Sequence, residues 1–285
     1  MKLPISYGRQ YISDEDIQAV VETLKSDYLT CGPKIPEFEQ AFCEYVHAKY
    51  SVAVCNATAA LHIAAMALGV KEGDNVICTP MTFASSANCI RFCGGNVKFV
   101  DIDPETYLLD INKLKGILSA APKGTYKGMV LVDFAGYPHN MEEYRKVADE
   151  YGMWILEDAC HAPGAYFINS IGEKVYCGCG KYSDITVFSF HPVKHITTGE
   201  GGMACTQNEE YYEKMALYRT HGITHEADKL QREDGLWYYE MQELGYNYRI
   251  TDIQAALGTS QLKRARKNVE IRRELVRKYN EAFAG

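Results

Sequence analysis

The chain has no excess of positive charge. Its 285 residues carry 30 Lys and Arg against 37 Asp and Glu, a formal net charge of −7. That balance leaves no basic field to hold nucleic acid. No apolar run is long enough to span a bilayer, and MKLPISYGRQ has no hydrophobic stretch after its Lys, so neither a membrane span nor a signal peptide is expected. The ten cysteines are scattered singly, which fits reduced thiols in a cytoplasmic protein better than a disulfide framework. Cys177-Gly178-Cys179 is a CxC with no second cysteine pair at zinc-ligand spacing, so no metal is expected. No Gly-x-Gly-x-x-Gly follows the first strand, which disfavours a dinucleotide fold. Internal repeats and low-complexity linkers are also missing.

What is present reads as a large α/β unit. Ser13-Asp14-Glu15-Asp16 looks like a helix N-cap and first turn. A strand at Ser51–Cys55 runs into Asn56-Ala57-Thr58 and a small-residue helix closed by Gly69. Strands follow at 75–79, 97–101, 129–133 and 154–156, with helices between them over 83–92, 111–120 and 141–151. Short loops between alternating strands and helices predict a mostly parallel sheet covered on both faces. Residues 220–237 read as a long irregular loop, and Thr251 or Asp252 as the cap of one long final helix.

In such a sheet, ligands bind beyond the carboxyl ends of the strands. Three features fall there. The first is Asn56-Ala57-Thr58, a strand feeding a helix N-terminus, whose free N–H groups and dipole suit an anion. The second is Asp158 with His161, just after the strand at 154–156. The third is Lys194, in FSFHPVKHITTGEGGM, next to a buried-strand run over 185–190. A partly buried lysine is disfavoured as a cation, and a neutral amine is what Schiff-base chemistry needs. An isolated lysine is ordinarily a solvated surface group, an isolated Asp an N-cap, and an isolated His a satisfied loop residue. Together they fit one cofactor, pyridoxal 5′-phosphate. The lysine would form its Schiff base, the carboxylate would hold its ring nitrogen protonated, and the helix would take its phosphate.

The chain also resembles the sugar-nucleotide aminotransferases of the DegT type, in the aspartate aminotransferase superfamily (PLP fold type I). The resemblance runs through six ordered blocks: LTCGPKIPEFE, NATAALH, TPMTFASSAN, EDACHAPGA, FSFHPVKHITTGEGG and GYNYRITDIQAALG. It implies that Lys194 is the catalytic lysine, that Asp158 meets the pyridinium nitrogen, and that His161 bonds the ring hydroxyl. It implies Phe83 stacked on the ring, and Ala57, Thr58 and Ser189 around the phosphate. Asn247 would reach the phosphate of a second subunit, making the protein a homodimer.

VDFAGYPH, HPVKHITTGEGG and RTHGI narrow the likeness to the transaminases of pseudaminic acid biosynthesis. That branch implies an amino group moved from L-glutamate to C4 of a UDP-linked 4-keto-6-deoxy-N-acetylhexosamine. Another nucleotide-linked keto sugar remains open as the substrate. A dehydratase branch carries histidine in place of the lysine, and the aligned residue here is Lys194, not His195. A non-catalytic PLP-binding or regulatory homologue would need a lost lysine or a DNA-binding segment. Family members continue into a small C-terminal domain, so 1–250 is expected to be the cofactor-binding domain and 251–285 the start of a helix leading to a small domain beyond Gly285.

Overall fold

The structure, a computed structural model, describes residues 8–232, 234–235 and 237–284. The first seven residues, part of the segment read as lacking a signal peptide, and Gly285 lie outside the described residues.

Two helices open the chain, α1 (Asp14–Leu24) and α2 (Lys34–Val46). Then β1 (Tyr50–Val54), α3 (Ala57–Ala67), β2 (Asn75–Cys78), α4 (Ser85–Phe92), β3 (Asn96–Phe99), α5 (Ile111–Ser119), β4 (Tyr126–Val132), α6 (Met141–Tyr151) and β5 (Trp154–Asp158) alternate as expected. A hairpin the sequence did not announce, β6 (Tyr166–Ile168) with β7 (Lys174–Tyr176), precedes β8 (Ile185–Ser189) and β9 (Gly202–Thr206). The chain then runs through α7 (Glu209–Arg219), a short β10 (Ile223–Thr224) paired with β11 (Glu240–Met241), α8 (Asp252–Leu262) and α9 (Ala265–Phe283). The stretch read as irregular therefore contains half of a small hairpin.

Seven strands form the main sheet in the order β1-β9-β8-β5-β4-β2-β3. Only β9 is antiparallel to its neighbours; the other adjacent pairs are parallel. The sheet is mostly parallel and covered on both faces, which explains why β8 reads as a buried-strand run. On one face, Val52, Val54, Val130, Leu156, Ile185 and Val187 pack against the small residues of α3. On the other, Phe188 and Phe190 meet Phe38 and Phe42 of α2, with ring centroids 5.0 to 5.3 Å apart. Alternate residues of β8 thus serve opposite faces, as the two-residue period of a strand demands.

The single final helix expected from Thr251 onward is two helices. Thr251 does cap α8, in a capping box with Gln254. The break at Lys263-Arg264 has a cause in packing. Arg264 turns back to Asp16 of α1, a fully buried carboxylate that also accepts from Gln261 Nε2 at 2.8 Å. An unpaired charge there would be costly, so the helix yields to the ion pair. At the other end of α8, Asp252 accepts the N–H groups of Gly32 (2.8 Å) and Lys34 (2.9 Å). A Cβ on Gly32 would lie 2.7 Å from that carboxylate, so glycine is required where the two sequence blocks meet.

Candidate active site

The carboxyl ends of β1, β4, β5 and β8 open into one cavity of about 790 Å³. Its walls include Ala57, Thr58, Phe83, Asp158, His161, Ser189 and Lys194. Seven of the eight residues singled out in the sequence therefore converge. The eighth, Asn247, is exposed and outside the cavity wall.

The helix end comes first. Asn56 caps α3, its Oδ1 accepting from Ala59 N–H at 2.8 Å. Ala57 and Thr58 keep N–H groups without acceptors among the described residues, and Thr58 Oγ1 is 2.7 Å from Ser85 Oγ. Free N–H groups on a helix dipole form an anion cradle. Gly202 opens it, because a Cβ there would sit 2.6 Å from Ala57 N. Ser189, at the end of β8, closes the same side.

Asp158 is the last residue of β5 and is buried. Ser86 Oγ donates to its Oδ2 at 2.5 Å, and the N–H of Cys160 donates to its Oδ1 at 3.2 Å. Ser86 is in turn 2.7 Å from Thr82 Oγ1. Two donors hold the carboxylate in one orientation at the cavity wall. Ser86 was missed in the sequence because nothing in TPMTFASSAN says which serine of α4 meets a strand 72 residues away.

Lys194 lies in the loop between β8 and β9 rather than at the strand end, and it is half-buried. Its turn is closed by Lys194 N–H to His191 O at 2.9 Å. The loop's ends are pinned together by Phe190 N–H to Gly201 O and Thr198 N–H to Phe190 O. The amine itself makes no hydrogen bond or ion pair among the described residues, so it is free to react.

His161 accepts the N–H of Ala135 at Nδ1, at 3.3 Å. A neutral ring then carries its proton on Nε2. Burial and the nearby positive charge of Lys194 lower its pKa, against an opposing pull from Asp158. His195 does not line the cavity; its ring is pushed down to about 4 by burial and by Arg272, His161 and Lys194. Phe83 stands at the rim with most of its ring exposed.

Tyr248 was also missed. It lines the cavity, and its hydroxyl is 3.0 Å from Nδ1 of the buried His62, beside the stacked Tyr246. Only the tertiary fold brings GYNYRIT back against α3.

The site has the parts that pyridoxal 5′-phosphate requires: a cradle for an anion, a fixed carboxylate, a neutral ring donor and an unpaired amine in one cavity. Residues 10–285 match the model of the DegT/DnrJ/EryC1/StrS aminotransferase family. The chain belongs to that family. It is 40% identical over 279 residues to the UDP-4-amino-4,6-dideoxy-N-acetyl-beta-L-altrosamine transaminase of Campylobacter jejuni, covering 98% of this chain and 69% of that protein. It is 39% identical, with the same coverage, to the spore coat polysaccharide biosynthesis protein SpsC of Bacillus subtilis. Among solved structures it is similar to Helicobacter pylori PseC, an aminotransferase involved in pseudaminic acid biosynthesis (TM-score 0.86, 32% identity, 98% of this chain and 70% of that one). It is also similar to the pyridoxamine-phosphate form of a Streptococcus pneumoniae sugar aminotransferase (TM-score 0.87, 30% identity, 99% and 73%). This DegT-family chain is therefore an aminotransferase that depends on pyridoxal 5′-phosphate. No helix among the described residues is long and apolar enough to cross a membrane.

Proposed function

We propose that this aminotransferase moves an amino group from L-glutamate to C4 of a UDP-linked 4-keto-6-deoxy-N-acetylhexosamine, in pseudaminic acid-type nucleotide-sugar synthesis. The sugar follows the printed name of the Campylobacter relative and the description of the Helicobacter structure. The observation that carries the chemistry is the convergence of Lys194, Asp158 and the α3 N-terminus in one cavity.

Each residue has a role in this reading. Lys194 Nζ is the amine that holds the cofactor and carries protons between it and the substrate. Asp158, oriented by Ser86 and Cys160, faces the ring nitrogen. His161 donates from Nε2 to the ring hydroxyl, because its Nδ1 is committed to Ala135. Ala57, Thr58 and Ser189 take the phosphate, and Phe83 covers the ring. When bound, the cofactor supplies an electron-withdrawing ring that makes amino-group exchange possible.

Asn247, exposed and off the cavity wall, is assigned to the site of a second copy, so the working form is a homodimer acting in the cytoplasm. The division at residue 250 belongs to the same proposal, with 251–285 opening the path to a small domain. Its support is the row of exposed apolar residues on α9, Ile271, Leu275, Val276, Tyr279 and Phe283, which has no cover among the described residues.

The test is the absorption spectrum of the protein loaded with pyridoxal 5′-phosphate, before and after L-glutamate. A visible band that gives way to a near-ultraviolet band, and returns with the UDP-linked keto sugar, is the expected result. A band that glutamate does not change removes the donor; a band restored only by other keto sugars removes the acceptor.

A further inference from the structure

Glu157 and Asp158 are neighbours in β5, so the strand's alternation sends them to opposite faces. Asp158 opens into the cavity. Glu157 enters a sealed space with Asp133, His139 and Cys177, all nearly or fully buried. One oxygen from each carboxyl and the Cys177 sulfur lie within 4.8 Å of one another. Glu157 Oε2 accepts Ser183 Oγ at 3.0 Å and Thr186 Oγ1 at 2.6 Å. Asp133 Oδ1 accepts the backbone N–H of His139 at 3.1 Å and faces its Nδ1 at 2.9 Å. Asp133 Oδ2 is buried with no hydrogen-bond donor among the described residues. No Lys or Arg pairs with either carboxyl among the described residues. Two carboxylates this close cannot both ionise without a cation, and an orphan buried acceptor beside a second carboxyl calls for a proton.

We propose that Glu157 is a carboxylic acid at neutral pH, that it donates its proton to Asp133 Oδ2, and that this shared proton ties the ends of β4 and β5 together beneath the active site. Asp133 N–H donates to Asp158 O at 3.1 Å, so whatever fixes Asp133 also fixes the backbone of the cofactor-facing carboxylate. Glu157 is thus a positioning residue.

The assignment of the proton follows from the donors. Asp133 has a backbone N–H and a ring N–H; Glu157 has two hydroxyls that can turn away. Burial and the Asp133 charge push Glu157 up to about 8, and burial pushes Asp133 to about 6. Among the described residues, the surrounding groups supply no cation. His139, in the loop after β4, is pushed down to about 4 by burial and stays neutral. Cys177, after β7, and Cys205 on β9 are thiols that burial keeps protonated; Cys179 is shifted the same way. Thr186 of β8 and Ser183 before it are neutral donors, and Asp158, on the far face, adds only negative charge. A divalent cation fits less well, because Glu157 Oε2 already accepts two hydroxyls and His139 Nδ1 is committed to Asp133.

Infrared spectroscopy of the protein without cofactor or substrate tests the proposal, so the outcome is separate from the proposed reaction. The expected result is a carboxylic-acid carbonyl band at neutral pH that is lost with a midpoint near 8 and is missing in Glu157→Gln. Urea unfolding from pH 4.5 to 9 gives the second readout. A folded-state pKa raised above the unfolded 4.5 means that stability is full below 4.5 and falls until about 8. Relative to Glu157→Gln, the folded-to-unfolded ratio of the native chain should drop by about tenfold per pH unit across that window, then level. The contribution of His139 is common to both proteins and cancels. Absence of the band in the native chain, parallel stability profiles, or a stoichiometric divalent metal in the purified protein would each overturn the proposal. The native spectrum decides even if the variant does not fold.

Discussion

The two faces of β5 hold the same chemical groups in opposite circumstances. On the open face, Asp158 meets Ser86 Oγ–H and the Cys160 N–H, beside a cavity that also contains Lys194. On the sealed face, Glu157 meets hydroxyls, a thiol and another carboxyl, with no cation among the described residues to balance them. The residue type does not decide the behaviour of a carboxyl; the neighbours across the sheet do. A single-residue step along one strand separates a group built to face a ligand from one built to hold two strands in register.

The comparison can be broken from either side. The largest effect belongs to the open face. Lys194→Ala should lower turnover by at least about 10³-fold, because an acid–base and covalent group is deleted together. The visible band of the lysine-bound cofactor should vanish while loose binding persists; a variant with near-native turnover would remove Lys194 from its role. On the sealed face, Asp133→Ala strips the acceptor from His139 and Glu157 at once, and should destabilise by about 2–4 kcal/mol in urea unfolding. A loss below about 0.5 kcal/mol would mean that the cluster stores little energy.

Smaller effects sharpen the contrast. Gly202→Ala places a methyl 2.6 Å from Ala57 N and should weaken cofactor binding about tenfold or more, read by fluorescence titration, together with a lower melting temperature, because the methyl meets backbone that must shift. Ser86→Ala removes one donor from Asp158 and should cost about tenfold in kcat/KM, with the loss in kcat rather than KM. The smallest effect is expected for Glu157→Gln near pH 4.5, within about 1 kcal/mol in urea unfolding, since the amide replaces the acid's donor at nearly the same volume; the gap then widens in the variant's favour as the pH rises toward 8.

Much of this was legible beforehand. The strand–helix alternation gave a mostly parallel sheet, since β-branched runs broken by capped helices leave few other arrangements. The convergence of Asp158 and the turn into α3 was legible because strand ends in such a sheet share one edge, and that of Lys194 because the loop leaving β8 starts from the same edge. Ser86 and Tyr248 were not, because their roles depend on which long-range neighbour they meet. The break between α8 and α9 was hidden too: the sequence from Thr251 onward has helical period throughout, and only the buried charge of Asp16 makes Arg264 leave the helix. The pairing of Glu157 with Asp133 was equally invisible, because the two residues are 24 positions apart and nothing in VDFAGYPH or EDACHAPGA says that their side chains meet.

The sequence by itself determined the main strands, the helices between them and their order, because period, caps and turn residues act over a few residues each. The protonation of Glu157, the orientation of Asp158 by Ser86 and the free amine of Lys194 were decided by the tertiary structure alone. Electrostatics and desolvation act through space, and a chain carries no record of which of its groups water will leave.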